Sequence, residues 1–153
     1  MSKMKKSILF SIIAISALML SSCKYEDGPA ISLRSKKSRV ANLWRLSEMY
    51  VNDTLQTLTN STNHTLELTK EGVATTTLDD LSILPIVGTW EFGDKKETIE
   101  IFYPSVNNDP DNVPAVYTIL RLKNDELWIM REYDNGVRID RIESHYVTDA
   151  SAD

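Results

Sequence analysis

From Trp44 onward the chain is cut into short runs rich in Val, Ile, Thr and aromatic residues, each closed by a turn signal. After Leu46 no stretch repeats apolar residues at helical spacing over three turns. That cadence restricts the fold to an antiparallel β sandwich or barrel. The expected strands are Trp44 to Val51, Thr65 to Thr69, Val73 to Leu78, Ile86 to Phe92, Glu97 to Tyr103, Ala115 to Leu122, Glu126 to Tyr133 and Val137 to Tyr146. Between them stand Asn52-Asp53, Lys70-Glu71-Gly72, Gly93-Asp94-Lys95-Lys96, Lys123-Asn124-Asp125 and Asp134-Asn135-Gly136. Gly72 is expected at positive φ in a hairpin, and Asp134-Asn135-Gly136 is the strongest turn signal of all. Nearly every connection is hairpin-short, which favours up-and-down order. Eight such strands can close on themselves and remove the exposed sheet edges. A barrel of that size has room for its own side chains or for one small ligand.

The N-terminus carries a different kind of information. Lys3, Lys5 and Lys6 precede an uncharged, largely apolar run from Ile8 to Leu20, and Leu20-Ser21-Ser22-Cys23 follows at its end. A basic head, a short apolar middle and small residues at the cut describe a secretory signal peptide. The run has thirteen residues, against the about twenty needed to span a bilayer as a helix. Cys23 is the single cysteine, so no intramolecular disulfide can form. Leu20 to Cys23 resembles the bacterial lipobox. The resemblance implies a diacylglycerol on the Cys23 sulfur, cleavage before Cys23 and acylation of the new amino group with fatty acids such as palmitate. Several chains anchor stably, since each buried methylene contributes about 0.8 kcal/mol. Lys24, where an inner-membrane retention signal would have Asp, favours the outer membrane of a Gram-negative envelope. Cys23-Lys24-Tyr25-Glu26-Asp27 also resembles, loosely, a surface-export tag. A solvated linker is the alternative.

Cleavage there leaves 131 residues, one domain of ordinary size. The signal stretch holds three of the seventeen Lys and Arg and no carboxylate, so the remainder has 14 basic against 22 acidic residues, a formal charge of −8. Such a surface repels nucleic acid. The basic run Arg34-Ser35-Lys36-Lys37-Ser38-Arg39 is expected to belong to a flexible tether or to touch lipid headgroups. The segment Lys37 to Leu46 could also form a short helix that enters the first strand. The organisation expected is a signal peptide over 1–22, a lipidated tether over 23–39, a barrel over 40–147 and a fraying tail over 148–153.

Several segments occur in a suggestive order. Ala41-Asn42-Leu43-Trp44 opens the first strand, and Leu66-Glu67-Leu68-Thr69-Lys70-Glu71-Gly72 follows. Gly88-Thr89-Trp90-Glu91-Phe92 lies mid-domain, and Tyr117 to Leu122 and Glu126-Leu127-Trp128-Ile129 come later. This order resembles the bacterial lipocalin-like domains of small envelope lipoproteins, over roughly residues 40 to 147. The family implies a β-barrel and, by analogy, a binding cavity. One departure is Asn42, which stands where the lipocalin Gly-x-Trp signature has Gly. Asn tolerates positive φ, so the turn is expected to survive.

Candidate chemistry is sparse. His64 and His145 lie far apart and lack zinc-site spacing. A nucleophilic triad needs Ser or Cys beside an oriented base, and Cys23 is committed to lipid. Within residues 107–112, Asn107, Asp109 and Asp111 stand at alternate positions as calcium ligands often do, but Asn112 replaces the needed Gly and Thr118 stands where a bidentate Glu belongs. Asp79-Asp80 and Glu97/Glu100 read as solvated carboxylates. Asp53-Thr54-Leu55 resembles an envelope O-glycosylation acceptor. Trp128 and Met130 share one strand face, and Leu127 and Ile129 the other, so that strand is expected to be covered on both sides. Core packing is the default for aromatics.

The expectation is therefore a non-enzymatic, lipid-anchored outer-membrane protein without cofactor or metal, partnered by the bilayer through Cys23. Its all-β, up-and-down, eight-stranded lipocalin-like barrel would hold a small apolar or amphipathic ligand, with Trp44, Trp90, Tyr117 and Trp128 as lining. A protein-interaction or structural accessory with a side-chain-filled barrel is the rival reading, and a hydrolase stands below both.

Overall fold

The computed structural model describes residues 33–58, 64–78, 84–104, 113–134 and 136–148. The signal stretch, Cys23, Asp79-Asp80, the 107–112 loop, Asn135 and the tail beyond Thr148 lie outside the described residues.

The strands are β1 Asn42–Val51, β2 Thr54–Leu55, β3 Thr65–Leu68, β4 Val73–Thr77, β5 Ile86–Phe92, β6 Thr98–Phe102, β7 Ala115–Leu122, β8 Glu126–Asp134 and β9 Ile139–Thr148. Each pairs antiparallel with its neighbour, and β9 returns to pair with β1 from Trp44↔Thr148 to Val51↔Ile142. Eight strands thus close a barrel in up-and-down order. β2 is an additional two-residue stub on the end of β1. Asn52 and Asp53 join β1 to β2 with φ of 50° and 63°, the positive pair that a two-residue type I′ hairpin requires.

The barrel has two unlike ends. At one end β3–β4, β5–β6 and β7–β8 are joined by the short connections at 69–72, 93–97 and 123–125. Gly72 occupies its turn at φ 94°, as the hairpin reading expects. A helix, α1, Lys36–Val40, precedes β1 at this end. Five residues cannot hold a helix by themselves. This one is capped by Ser35, whose Oγ accepts from the Ser38 amide at 3.1 Å. Val40 is completely buried, and Arg39 Nη1 donates to the Leu122 carbonyl at 2.9 Å. Part of the stretch expected as tether is therefore a plug fixed to the barrel. The connections at 52–64, 78–85, 103–114 and 135–138, the first three of them long, leave from the opposite end.

Inward-facing residues fill the plugged half. Trp44 is fully buried and its Nε1 donates to the Val40 carbonyl at 2.8 Å. Trp90 Nε1 donates to the Thr69 carbonyl at 2.9 Å. Leu68, Ile99, Leu122 and Leu127 close the space between them, all essentially without solvent exposure. Gly88 of the Gly-x-Trp sequence is needed for close approach: a Cβ there would meet the Phe102 carbonyl oxygen at 2.1 Å and the Tyr103 ring at 2.8 Å. Asn42 does not take up the turn role expected of it. It is the first residue of β1, paired with Leu68, and its Oδ1 accepts from the Leu43 amide at 2.9 Å. An extended residue inside a ladder has no use for positive φ.

Two bulges set which side chains face in. One falls between Leu46 and Glu48 in β1, the other between Ile119 and Arg121 in β7. An extra residue reverses the in-out alternation downstream. Beyond Ser47, Glu48 and Tyr50 therefore point outward, opposite His145 and Glu143. Beyond Leu120, Arg121 points outward opposite Trp128, while Leu122 turns in opposite Leu127.

Candidate functional site: a cavity in the open half of the barrel

The half of the barrel away from α1 is hollow. A cavity of about 310 Å³ opens there, at the small end of the range that holds small ligands. Its apolar wall is Leu66 from β3, Ile86 from β5, Ile101 from β6, Ile129 from β8 and Ile142 from β9. Its polar wall is His64, Thr76, Tyr103, Tyr117, Arg131, Ser144 and Tyr146. Strand alternation accounts for the set: Leu127, Ile129 and Arg131 are two residues apart on the inward face of β8, as Ile142, Ser144 and Tyr146 are on β9.

The polar groups divide into satisfied and unsatisfied ones. The Tyr103 hydroxyl and Thr76 Oγ1 share a hydrogen bond of 2.6 Å. Burial raises the Tyr103 phenol above its ordinary pKa. Burial does the same more strongly to Tyr146, with Tyr117 and Tyr103 adding to the rise and a bond from Ser144 opposing it. Both phenols stay protonated. Burial also lowers the imidazole of His64, so that ring is neutral. It meets the Tyr146 ring edge-on, with centroids 6.5 Å apart. Arg131 is only half-buried and sits opposite Ile142. Its guanidinium carbon is 6.0 Å from the Tyr117 ring centre and 5.9 Å from that of Tyr133. Among the described residues it makes no ion pair and no hydrogen bond. No Asp or Glu among the described residues lines the cavity.

The sequence-expected lining residues fall in three places. Tyr117 is on the cavity wall. Trp44 and Trp90 face inward, but in the filled half, below the cavity. Trp128 is on the outer surface, because its partner His145 alternates with the inward Ser144 and Tyr146. There it forms a ladder across four strands. The Arg121 guanidinium lies 3.5 Å over the Trp128 ring. Trp128 stacks on His145 with centroids 4.0 Å apart and planes 9° apart. His145 then meets Tyr50 at 5.1 Å. Carboxylates hold the ladder: His145 Nδ1 is 3.1 Å from Glu48 Oε2 and Nε2 is 2.7 Å from Glu143 Oε1. The Tyr50 hydroxyl donates to Glu48 at 3.0 Å, and Arg121 Nη1 to Glu126 at 3.2 Å. The second apolar face of β8 is thus covered by the protein's own cation and imidazole.

A larger hollow of about 520 Å³ is an open recess outside β5 and β6, bordered by Glu71, Glu91 and Glu100. Its described lining joins these carboxylates to Thr89 and to Trp90 and Phe102, with no histidine, lysine or cysteine beside them. Asp53-Thr54-Leu55 lies on the β1–β2 hairpin at the open rim, with Thr54 and Leu55 exposed. Sequence reasoning did not single out Arg131 or Ser144. The signal for Arg131 was present: two-residue spacing carries the inward face of Leu127 and Ile129 directly onto a charge.

No family model matches the chain, and no curated protein does. Solved structures do. A lipocalin-like protein from Bacteroides uniformis superposes with a TM-score of 0.51 at 16% identity, covering 72% of this chain and 99% of that one. The bovine lipocalin allergen Bos d 2 aligns at 12% identity with a TM-score of 0.42, over 78% of this chain and 79% of that one. The first likeness shows that the fold is lipocalin-like.

Proposed function

We propose, from this lipocalin-like fold, that the chain is a lipid-anchored outer-membrane protein that binds a small amphipathic ligand and performs no chemistry on it. The observation that carries the reading is the contrast within the barrel. One half is filled to the axis by Trp44, Trp90 and their neighbours. The other keeps a hollow of about 310 Å³ with apolar walls and a few polar groups, the usual make-up of a binding pocket. A barrel that served only as a scaffold would gain by filling that space, since cavities cost stability. The non-catalytic part is supported by the two histidines. Among the described residues His64 has no carboxylate to orient it. His145 is clamped by Glu48 and Glu143 and stacked on Trp128, with no nucleophile at its nitrogens.

The anchoring part rests on Leu20-Ser21-Ser22-Cys23. A chain acylated at Cys23 enters the barrel through α1, at the plugged end. The mouth then lies at the end remote from the lipid. Two experiments test the reading. Native mass spectrometry of the membrane-extracted protein should show a bound small molecule; an apo mass, together with no binding of any added amphiphile, refutes it. Cys23→Ser should abolish the acylated mass, and a variant that stays in the outer membrane at wild-type size refutes the anchor.

A further inference from the structure

We propose that the cavity selects a compact monoanion, a carboxylate on a short apolar body, seated with its head on Arg131 and Tyr117. The inference rests on the reading of the cavity as a ligand site and goes on to name what the site takes.

The argument starts from charge. Among the described residues Arg131 carries the only formal charge on the cavity wall. A guanidinium drawn half out of water normally has a carboxylate partner. Arg131 has none among the described residues, and what it has instead is two aromatic rings about 6 Å away. On the outside of the same barrel Arg121 and Arg141 each hold a glutamate. Acidic residues thus pair with these outward arginines, whereas among the described residues none lines the cavity that Arg131 faces.

The neighbours complete an anion seat. Tyr117 lies one step beyond the Thr118↔Met130 pair, on the same inward face as Arg131. Its hydroxyl has no hydrogen-bond partner among the described residues. His64, kept neutral by burial, adds a donor without adding a second charge. The remaining phenols, Tyr103 and Tyr146, are protonated, and Tyr103 is engaged with Thr76. One cation and two open neutral donors match one carboxylate; a neutral head would leave the guanidinium unpaired, and a cationic head would be repelled. The opposite wall, Leu66, Ile86 and Ile101, is apolar and takes the body. About 310 Å³, at the ~30 Å³ a water molecule occupies in the liquid, admits on the order of ten non-hydrogen atoms. A long acyl chain does not fit within it.

The test uses the full acylated protein in zwitterionic lipid nanodiscs, with empty nanodiscs as the blank, titrated by calorimetry. The probes are octanoate, 1-octanol, 3-phenylpropionate and palmitate. Octanoate or 3-phenylpropionate should bind at least about tenfold more tightly than 1-octanol, the low end for a charge-assisted hydrogen bond. The tighter of the two acids tells whether the body is acyl or aromatic. Arg131→Gln should erase the preference and leave 1-octanol unchanged, while Arg131→Lys should keep most of it. The inference is overturned if 1-octanol binds as tightly as the acids, or if Arg131→Gln weakens alcohol and acid alike. Palmitate binding ten times more tightly than octanoate overturns the size limit. If no probe binds, the ligand-site reading fails, and this inference with it; binding without discrimination fails this inference alone.

Discussion

The two faces of β8 and β9 treat polar side chains in opposite ways. Outward, Trp128, His145, Glu143 and their neighbours form a ladder in which each polar group meets another. Inward and two residues farther along, Arg131 and Tyr117 hold no hydrogen bond among the described residues. His145 is clamped by two carboxylates, and His64 by none among the described residues. Satisfied polar groups fix structure, because ordering them is already compensated within the fold. Unsatisfied groups in a hollow retain their free energy for something that arrives. The outer ladder also straddles the β9–β1 junction that closes the barrel, whereas the inner groups line the hollow for which binding is proposed.

Substitutions sharpen that division. The largest effect belongs to the plugged half. Trp44→Ala removes a fully buried indole and its bond to the Val40 carbonyl, and should cost about 3–5 kcal/mol of unfolding free energy in a urea titration. Trp128→Ala should cost less, about 1–2 kcal/mol, from the loss of the Arg121 and His145 stacking. Its ligand affinity should be unchanged, and a large loss of affinity would break the separation of the two faces.

Acid should act through His64. Its folded-state pKa is held below the ordinary value by burial. As pH falls through about 6.5, the unfolded chain takes up the proton before the folded one does. The contribution of this residue is therefore complete above that pH and is lost as pH drops toward the folded-state value. His64→Gln should flatten that part of the stability profile between pH 5 and 7 in thermal melts. Arg131→Leu should have the smallest effect, within about 0.5 kcal/mol of wild type, because no internal partner is stranded. A loss comparable to that of Trp128→Ala would mean that Arg131 has a structural role.

The strands were legible in the sequence because their ends carry strong chemistry. Lys70-Glu71-Gly72, Asn52-Asp53 and Lys123-Asn124-Asp125 all form the turns expected, and the limits of β5 and β7 agree to the residue. Three features were hidden for physical reasons. The bulges at Ser47 and Leu120 leave no mark, since a single extra residue changes the phase of a pattern and not its composition. Trp128 faces outward for a related reason. Leu127, Trp128, Ile129 and Met130 are all apolar, so their alternation could not say which side was in. The docking of the short helix, expected within Lys37 to Leu46 and found at Lys36–Val40, was masked by its charges, which suggest a tether yet are spent on Leu122 and Lys96 carbonyls at the plugged end. The site was half legible. Tyr117 was found as an aromatic on a strand, whereas Arg131 was overlooked because an arginine is not the default residue for an inward face.

The most direct test of the hollow-half account is the isoleucine methyl NMR spectrum of the protein with and without octanoate. Ile86, Ile101, Ile129 and Ile142 line the cavity, while Ile99 is packed in the filled half. The account predicts that the first four methyls shift on titration and that Ile99 and the exposed Ile139 stay in place. Shifts confined to Ile139, or spread equally over all six, would contradict it.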